Sequence, residues 1–130
     1  MTAATILIIE DHPVNRELLT QLLEVSGYDV LQAENAAVGI ELARTSRPSL
    51  ILMDMSLPGM NGFDATRQLK DDVTTAAIPI IAVTAYAFAK DRSAAFAAGC
   101  IGFISKPIEI MSMVAEIKRT LEIAAENRST

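Results

Sequence analysis

At 130 residues and 14.0 kDa the chain suffices for one domain and not for two, which excludes a sensor kinase or a regulator carrying its own output domain in this length. Hydrophobic residues make up 51% of it, which excludes disorder, but with 20 Ala and only six Phe or Tyr the core must be largely aliphatic. Eleven Lys and Arg against sixteen Asp and Glu leave a net charge of -5 and a pI near 4.8, the wrong sign for duplex DNA or an anionic membrane.

The first apolar block, Ile6-Leu7-Ile8-Ile9, does not alternate with polar residues, so it reads as a strand buried on both faces. Pro13 opens a helix along which Val14, Leu18, Leu22 and Val25 recur, and Gly27 closes it. Residues 28–33 form a weaker strand; Asp29 and Gln32 among Val30 and Leu31 mark it as an edge. Asn35 can cap a second helix running to Arg44, with Ala37, Ile40 and Ala43 on one face. The strand Leu50-Ile51-Leu52-Met53 follows, then a helix after Gly62 with Phe63, Thr66 and Leu69 facing inward. Ile80-Ile81-Ala82-Val83 is the fourth strand, and an Ala-rich helix over 90–98 ends at Gly99. Phe103-Ile104 is the last and shortest strand. A fifth helix over about 109–125 keeps Ile110, Met113 or Val114, Ile117 and Leu121 in step, and the polar tail 126–130 is expected to fray. The pattern predicts an α/β fold, a (βα)5 doubly wound parallel five-stranded sheet, as a single domain over 1–130 with its core at about 5–123.

In an open parallel sheet the carboxyl ends of all strands share one edge, and ligands bind in the crevice outside it. The residues standing there are Glu10 and Asp11, Asp54, Thr84, and Ser105 with Lys106. Three carboxylates a few ångströms apart repel one another, and a divalent hard cation relieves that repulsion. Mg²⁺ suits such a site because it takes one or two protein carboxylates and keeps its other positions for water and phosphate oxygens; Mn²⁺ is a possible substitute. Flanked by a metal and a lysine, Asp54 is set up as a nucleophile towards phosphorus, with Lys106 and the Thr84 hydroxyl neutralising phosphoryl oxygens. Taken singly, each residue has a duller role as a helix-start acid, turn former, strand residue or solvated charge; their coincidence at the strand ends carries the inference. His12 reads as a loop residue without a catalytic part. Cys100 reads as a small buried filler, and as the lone cysteine it forms neither a disulfide nor a thiolate metal cluster.

These residues resemble the receiver domains of two-component response regulators. The resemblance spans Ile6 to Leu121 and rests on Glu10-Asp11, on Leu52-Met53-Asp54-Met55-Ser56-Leu57-Pro58-Gly59-Met60-Asn61-Gly62, on Val83-Thr84-Ala85 and on Ser105-Lys106-Pro107. It implies the flavodoxin-like strand order 2-1-3-4-5. It also implies that Asp54 is the phosphoacceptor, that Asp11 binds Mg²⁺ directly and Glu10 through water, and that the Ser56 backbone carbonyl is a further ligand. Thr84 resembles the switch hydroxyl and Lys106 the phosphate-contacting lysine, with a cis Lys106–Pro107 bond that would aim the ammonium into the site. The first acid is Glu10 where many receivers have Asp, and the aromatic switch position is Phe103, which has no hydroxyl to report its state. Ser56 and Tyr86 stand where the family tunes phosphoryl lifetime.

The resemblance implies a phosphorylation switch, with a histidine kinase or histidine phosphotransfer protein as donor and a downstream effector protein as target. Its moving face is the fourth helix, fifth strand and fifth helix, with Phe103 turning inward as Thr84 moves onto the phosphoryl group. Phe88, Ile108, Ile110, Met111 and Met113 are on or near that face, and most of them are expected in the core. The chain is expected to act without binding DNA, as a monomer or a weak phosphorylation-linked dimer, and not as a turnover enzyme. No apolar run approaches a membrane span and no signal-peptide pattern opens the chain, so a cytoplasmic, free-standing regulator is expected. A haloacid-dehalogenase-type phosphatase would need an Asp two positions after Asp54, where Ser56 stands. A flavin phosphate would be repelled by Glu10-Asp11 after the first strand.

Overall fold

Buried on both faces, the apolar blocks form the strands of one parallel sheet in a computed structural model that describes residues 3–85 and 88–129. The elements follow in strict alternation: β1 (Thr5–Ile9), α1 (Pro13–Val25), β2 (Asp29–Ala33), α2 (Ala36–Ser46), β3 (Leu50–Asp54), α3 (Gly62–Asp71), β4 (Ile80–Thr84), α4 (Ala89–Ala98), β5 (Gly102–Ser105) and α5 (Ile110–Ser129). The strand order is β2-β1-β3-β4-β5, with every pairing parallel. This is the doubly wound parallel sheet that the apolar pattern predicts, in the flavodoxin-like order that the family resemblance implies. Parallel pairing aligns the carboxyl ends: Ile9 lies opposite Met53, Asp54 opposite Val83, and Thr84 opposite Ser105.

Two cores lie on opposite faces of the sheet. Ile6, Ile8, Leu52, Ile81, Val83 and Ile104 pack under Leu19 and Leu23 of α1 and Met113 and Ile117 of α5. Leu7, Ile9, Ile51, Met53 and Ala82 pack under α2, α3 and α4. Period-two alternation along each strand sends neighbouring side chains to opposite cores, which is why the central strands are apolar throughout except at their ends, Thr5, Asp54 and Thr84.

The expected helix faces need correction at two places. On α1 the recurring residues Val14, Leu18 and Val25 are 68%, 54% and 88% exposed, only Leu22 of that set packs against the core, and the helix instead buries Leu19, Thr20 and Leu23. Two apolar stripes run one residue apart along this helix, and the stripe that meets Ile6 and Ile8 takes the sheet. On α2 the inward residue is Ala36 and not Ala37, followed by Gly39, Ile40 and Ala43. A Cβ on Gly39 would stand 2.4 Å from Ile9 Cδ1, so the helix crosses β1 closely at that point. α3 buries Thr66 and Leu69 as expected, with Phe63 half-buried. Asn61 caps it by accepting the Asp64 N–H at 2.9 Å, and Asn35 caps α2 in the same way. α5 continues to Ser129, beyond the expected end near residue 125.

Candidate functional site

Glu10 follows β1 directly, whereas Asp54, Thr84 and Ser105 are the last residues of β3, β4 and β5. Strand ends fix these side chains at one rim although the chain between Glu10 and Lys106 is long. Glu10 and Asp54 are only 2% and 5% exposed, while Asp11 is open to solvent. Carboxylate oxygens of Glu10, Asp11 and Asp54 all come within 4.8 Å of one another. The Lys106 ammonium reaches into the group, 3.2 Å from Glu10 Oε1 and 3.6 Å from Asp54 Oδ2. The Lys106–Pro107 bond is cis.

Electrostatics and hydrogen bonding leave this cluster short of positive charge. Burial, followed by the nearby Asp54 carboxylate, raises the Glu10 pKa from 4.5 to about 7, and Lys106 only partly opposes them. Glu10 Oε2 is buried without a hydrogen-bond partner. A buried carboxylate oxygen left unpaired is destabilising unless something else satisfies it. An oxygen-lined, anionic rim with one open carboxylate and one orphaned buried oxygen fits a hard divalent cation. Asp54 Oδ1 accepts the Ser56 backbone N–H at 3.0 Å, which orients the carboxylate and turns the chain into the loop ahead of α3.

That loop returns so closely that a Cβ on Gly62 would stand 2.6 Å from both the Asp54 carbonyl oxygen and the Met55 Cα. The crowding is invisible in the sequence, where Gly62 reads only as a helix start. Thr84 is buried at the end of β4. Phe103 is buried in this structure, its ring 4.8 Å below the Arg92 guanidinium carbon, a cation–π contact. Tyr86 lies outside the described residues. His12 precedes α1 and caps nothing with its side chain. Cys100 is buried, and burial raises its thiol to about 11, consistent with filler and against reactivity.

Beside the acids lies a groove of about 440 Å³ lined by Glu10, Asn15, Leu18, Leu22, Lys106 and Ile108, among others. One wall is therefore a face of α1, on which Leu18 is exposed while Leu19 and Leu22 also pack against the core. Two residues of the site, Glu10 and Lys106, form part of the same lining. Of the residues expected on the partner face, Phe88, Ile110 and Met111 are exposed, Ile108 is partly buried and Met113 is fully buried. Fewer of them belong to the core than the sequence suggested: Phe88, just ahead of α4, and Ile110 and Met111, which open α5, face solvent, and Met113 alone is fully buried.

The chain belongs to the response regulator receiver domain family, which matches residues 6–118. It is therefore a receiver of two-component phosphoryl signalling, a signalling domain and not a conventional enzyme. It is 41% identical over 117 residues to the polar-differentiation response regulator DivK of Brucella anthropi, covering 90% of this chain and 95% of that one. Among solved structures it is similar to the receiver domain of sensor histidine kinase PA1611 from Pseudomonas aeruginosa PAO1, with a magnesium ion coordinated in the active site cleft. That likeness has a TM-score of 0.86, 30% identity, and covers 93% of this chain and 99% of the other. A CheY-like receiver domain protein from Methanospirillum hungatei JF-1 superposes with a TM-score of 0.89 at 26% identity, over 97% of this chain and 99% of that one.

Proposed function

We propose that Asp54 is the phosphoacceptor of this receiver and that the rim around it promotes its own phosphorylation. The supporting observation is the Lys106 ammonium lying between Glu10 and Asp54, 3.2 and 3.6 Å from their oxygens, beside a buried Glu10 oxygen with no partner. Asp11, Asp54 and the Ser56 carbonyl would hold Mg²⁺, or Mn²⁺ in its place, with Glu10 acting through water. The bound ion would supply charge neutralisation for the acids and for the incoming phosphoryl oxygens. Asp54 attacks the phosphorus of a phosphohistidine, its oxygen forms the new O–P bond, and the P–N bond breaks with the electron pair returning to the imidazole. The Ser56 N–H holds the other Asp54 oxygen, which orients the attacking one. Lys106 exchanges its carboxylate contacts for a phosphoryl oxygen, and the Thr84 hydroxyl moves to another.

The donor would be a histidine kinase or a histidine phosphotransfer protein. Its phosphohistidine-bearing helix fits the groove walled by Leu18, Leu22 and Ile108, because the groove opens onto Glu10 and Lys106 and so delivers the phosphoryl group to Asp54. α4, β5 and α5 form the face that answers, with Phe103 as its aromatic switch, and Phe88, Ile110 and Met111 are the side chains exposed there for an effector protein. In this reading residues 5–123 form one receiver core that acts in the cytoplasm through protein contacts and not on DNA, as a monomer or a weak phosphorylation-linked dimer. No helix among the described residues is long and apolar enough to cross a membrane.

Incubation with acetyl phosphate tests the assignment. Wild-type protein should label only with Mg²⁺ present, and Asp54→Asn should lose at least nine-tenths of the label (on the order of ten-fold or more for removal of a nucleophile). Undiminished labelling of that variant would remove Asp54 from the role.

A further inference from the structure

Arg16 carries a charge for which the phosphoryl chemistry above has no use, yet its guanidinium is aimed at the site's backbone. Arg16 Nη1 donates to the Glu10 carbonyl oxygen at 2.9 Å. The Glu10 N–H in turn donates to the Ala33 carbonyl at the end of β2, at 3.0 Å. The Glu10 carbonyl and the Asp11 N–H belong to one rigid peptide plane, so a grip on that oxygen fixes the direction in which Asp11 leaves the strand. Asp11 needs such a grip. It is the open member of the acid trio, and among the described residues its carboxylate has neither a hydrogen bond nor an ion pair of its own.

Arg16 is itself anchored. Its N–H donates to the His12 carbonyl at 2.9 Å, and its own carbonyl accepts the Thr20 hydroxyl at 2.8 Å. Thr20, buried on α1, accepts Gln32 Nε2 from β2 at 2.6 Å. A continuous set of hydrogen bonds thus runs from β2 through α1 to the peptide between the two acids. Among the described residues no carboxylate oxygen comes within 4.0 Å of Arg16, so the guanidinium acts on the carbonyl and not as an ion-pair partner of the acids.

We propose that Arg16 is a positioning residue for the divalent-ion site, holding the Glu10–Asp11 peptide so that the Asp11 carboxylate is presented to the ion. The inference rests on the proposed ion site. It has a sign that distinguishes it from a simple charge effect. A guanidinium close to the acids repels a cation, so as a bare charge its removal would tighten Mg²⁺ binding. As a tether its removal leaves Asp11 to be ordered at the expense of binding, and losing a partner that orients a ligand typically weakens metal affinity by about ten-fold or more.

Calorimetric titration of the full chain with Mg²⁺, without any phosphodonor, separates the two. Arg16→Met keeps the stem and removes the donor, and it should raise the dissociation constant about ten-fold. Arg16→Lys, which can still reach a carbonyl with one donor, should fall between Met and wild type. Thermal unfolding in chelator gives the structural readout and should move little for Lys. Labelling by acetyl phosphate at saturating Mg²⁺ should be restored in both variants, because only the affinity term has changed. Unchanged or tighter Mg²⁺ binding by both variants would overturn the positioning role while leaving the site intact. Absence of Mg²⁺ binding by the wild-type chain would overturn the ion site and this inference together.

Discussion

Two buried carboxylates share one ammonium at this rim, and that imbalance has measurable consequences for single residues. Because the folded-state pKa of Glu10 is raised from 4.5 to about 7, the native protein binds its proton more tightly than the unfolded chain does. The associated stabilisation is therefore complete at low pH and lost as pH rises through about 7. In ion-free buffer the midpoint of urea unfolding should fall between about pH 5 and pH 8, and Glu10→Gln should flatten that fall. Saturating Mg²⁺ should reverse it, since a cation binds the ionised form. An ion-free midpoint that rises over this range would contradict the account. Cys100 presents the opposite case, a titratable group with no part in the site. Held near 11 by burial, it should resist alkylation at pH 8 in the native protein and react fully once unfolded, as free-thiol counting would show.

Among the elements, α1 and the loop ahead of α3 decide how the site is built. Of the four leucines of α1, Leu23 is fully buried under the sheet and Leu18 is exposed on the groove, so these two should behave differently. Leu23→Ala should lose about 2–5 kcal/mol of stability in urea unfolding, and Leu18→Ala about 0.5 kcal/mol or less. Leu18→Asp should slow phosphoryl transfer from a phosphohistidine protein while leaving labelling by acetyl phosphate unchanged, because the small donor needs no groove. Equal loss with both donors would place Leu18 in the chemistry and not in docking. The loop allows less latitude. A methyl at Gly62 meets backbone atoms of Asp54 and Met55 at 2.6 Å, which no rotamer change can relieve. Gly62→Ala should lower stability by about 1–3 kcal/mol and slow labelling as well, since one of the displaced atoms is the carbonyl oxygen of the nucleophile's own residue.

For the molecule as a whole, alternation of apolar blocks with helical stretches was enough to predict the parallel sheet, because each central strand is buried on both faces and reads as an unbroken apolar run. The site followed from the fold: once the strands are parallel, Glu10, Asp54, Thr84 and Lys106 have one edge to share. What remained illegible depends on three-dimensional contact. The α1 stripe through Val14, Leu18 and Val25 is at least as apolar as the one that buries Leu19, Thr20 and Leu23, and only packing against Ile6 and Ile8 decides between Leu19 and Leu18. Arg16 acts on a backbone carbonyl, a group present in every residue and so without any mark in the sequence. Gly62 is crowded by a carbonyl eight residues away, whose position depends on the turn between them. A crystal structure of the protein with Mg²⁺ and beryllofluoride, an imitation of the phosphoryl group, would show whether Asp54 accepts the group beside an ion held by Asp11. The adduct should form on Asp54, with the ion against Asp11 and the Ser56 carbonyl, and Lys106 and Thr84 on the fluorines. An adduct on another residue, or an ion bound away from Asp11 and Asp54, would contradict that arrangement.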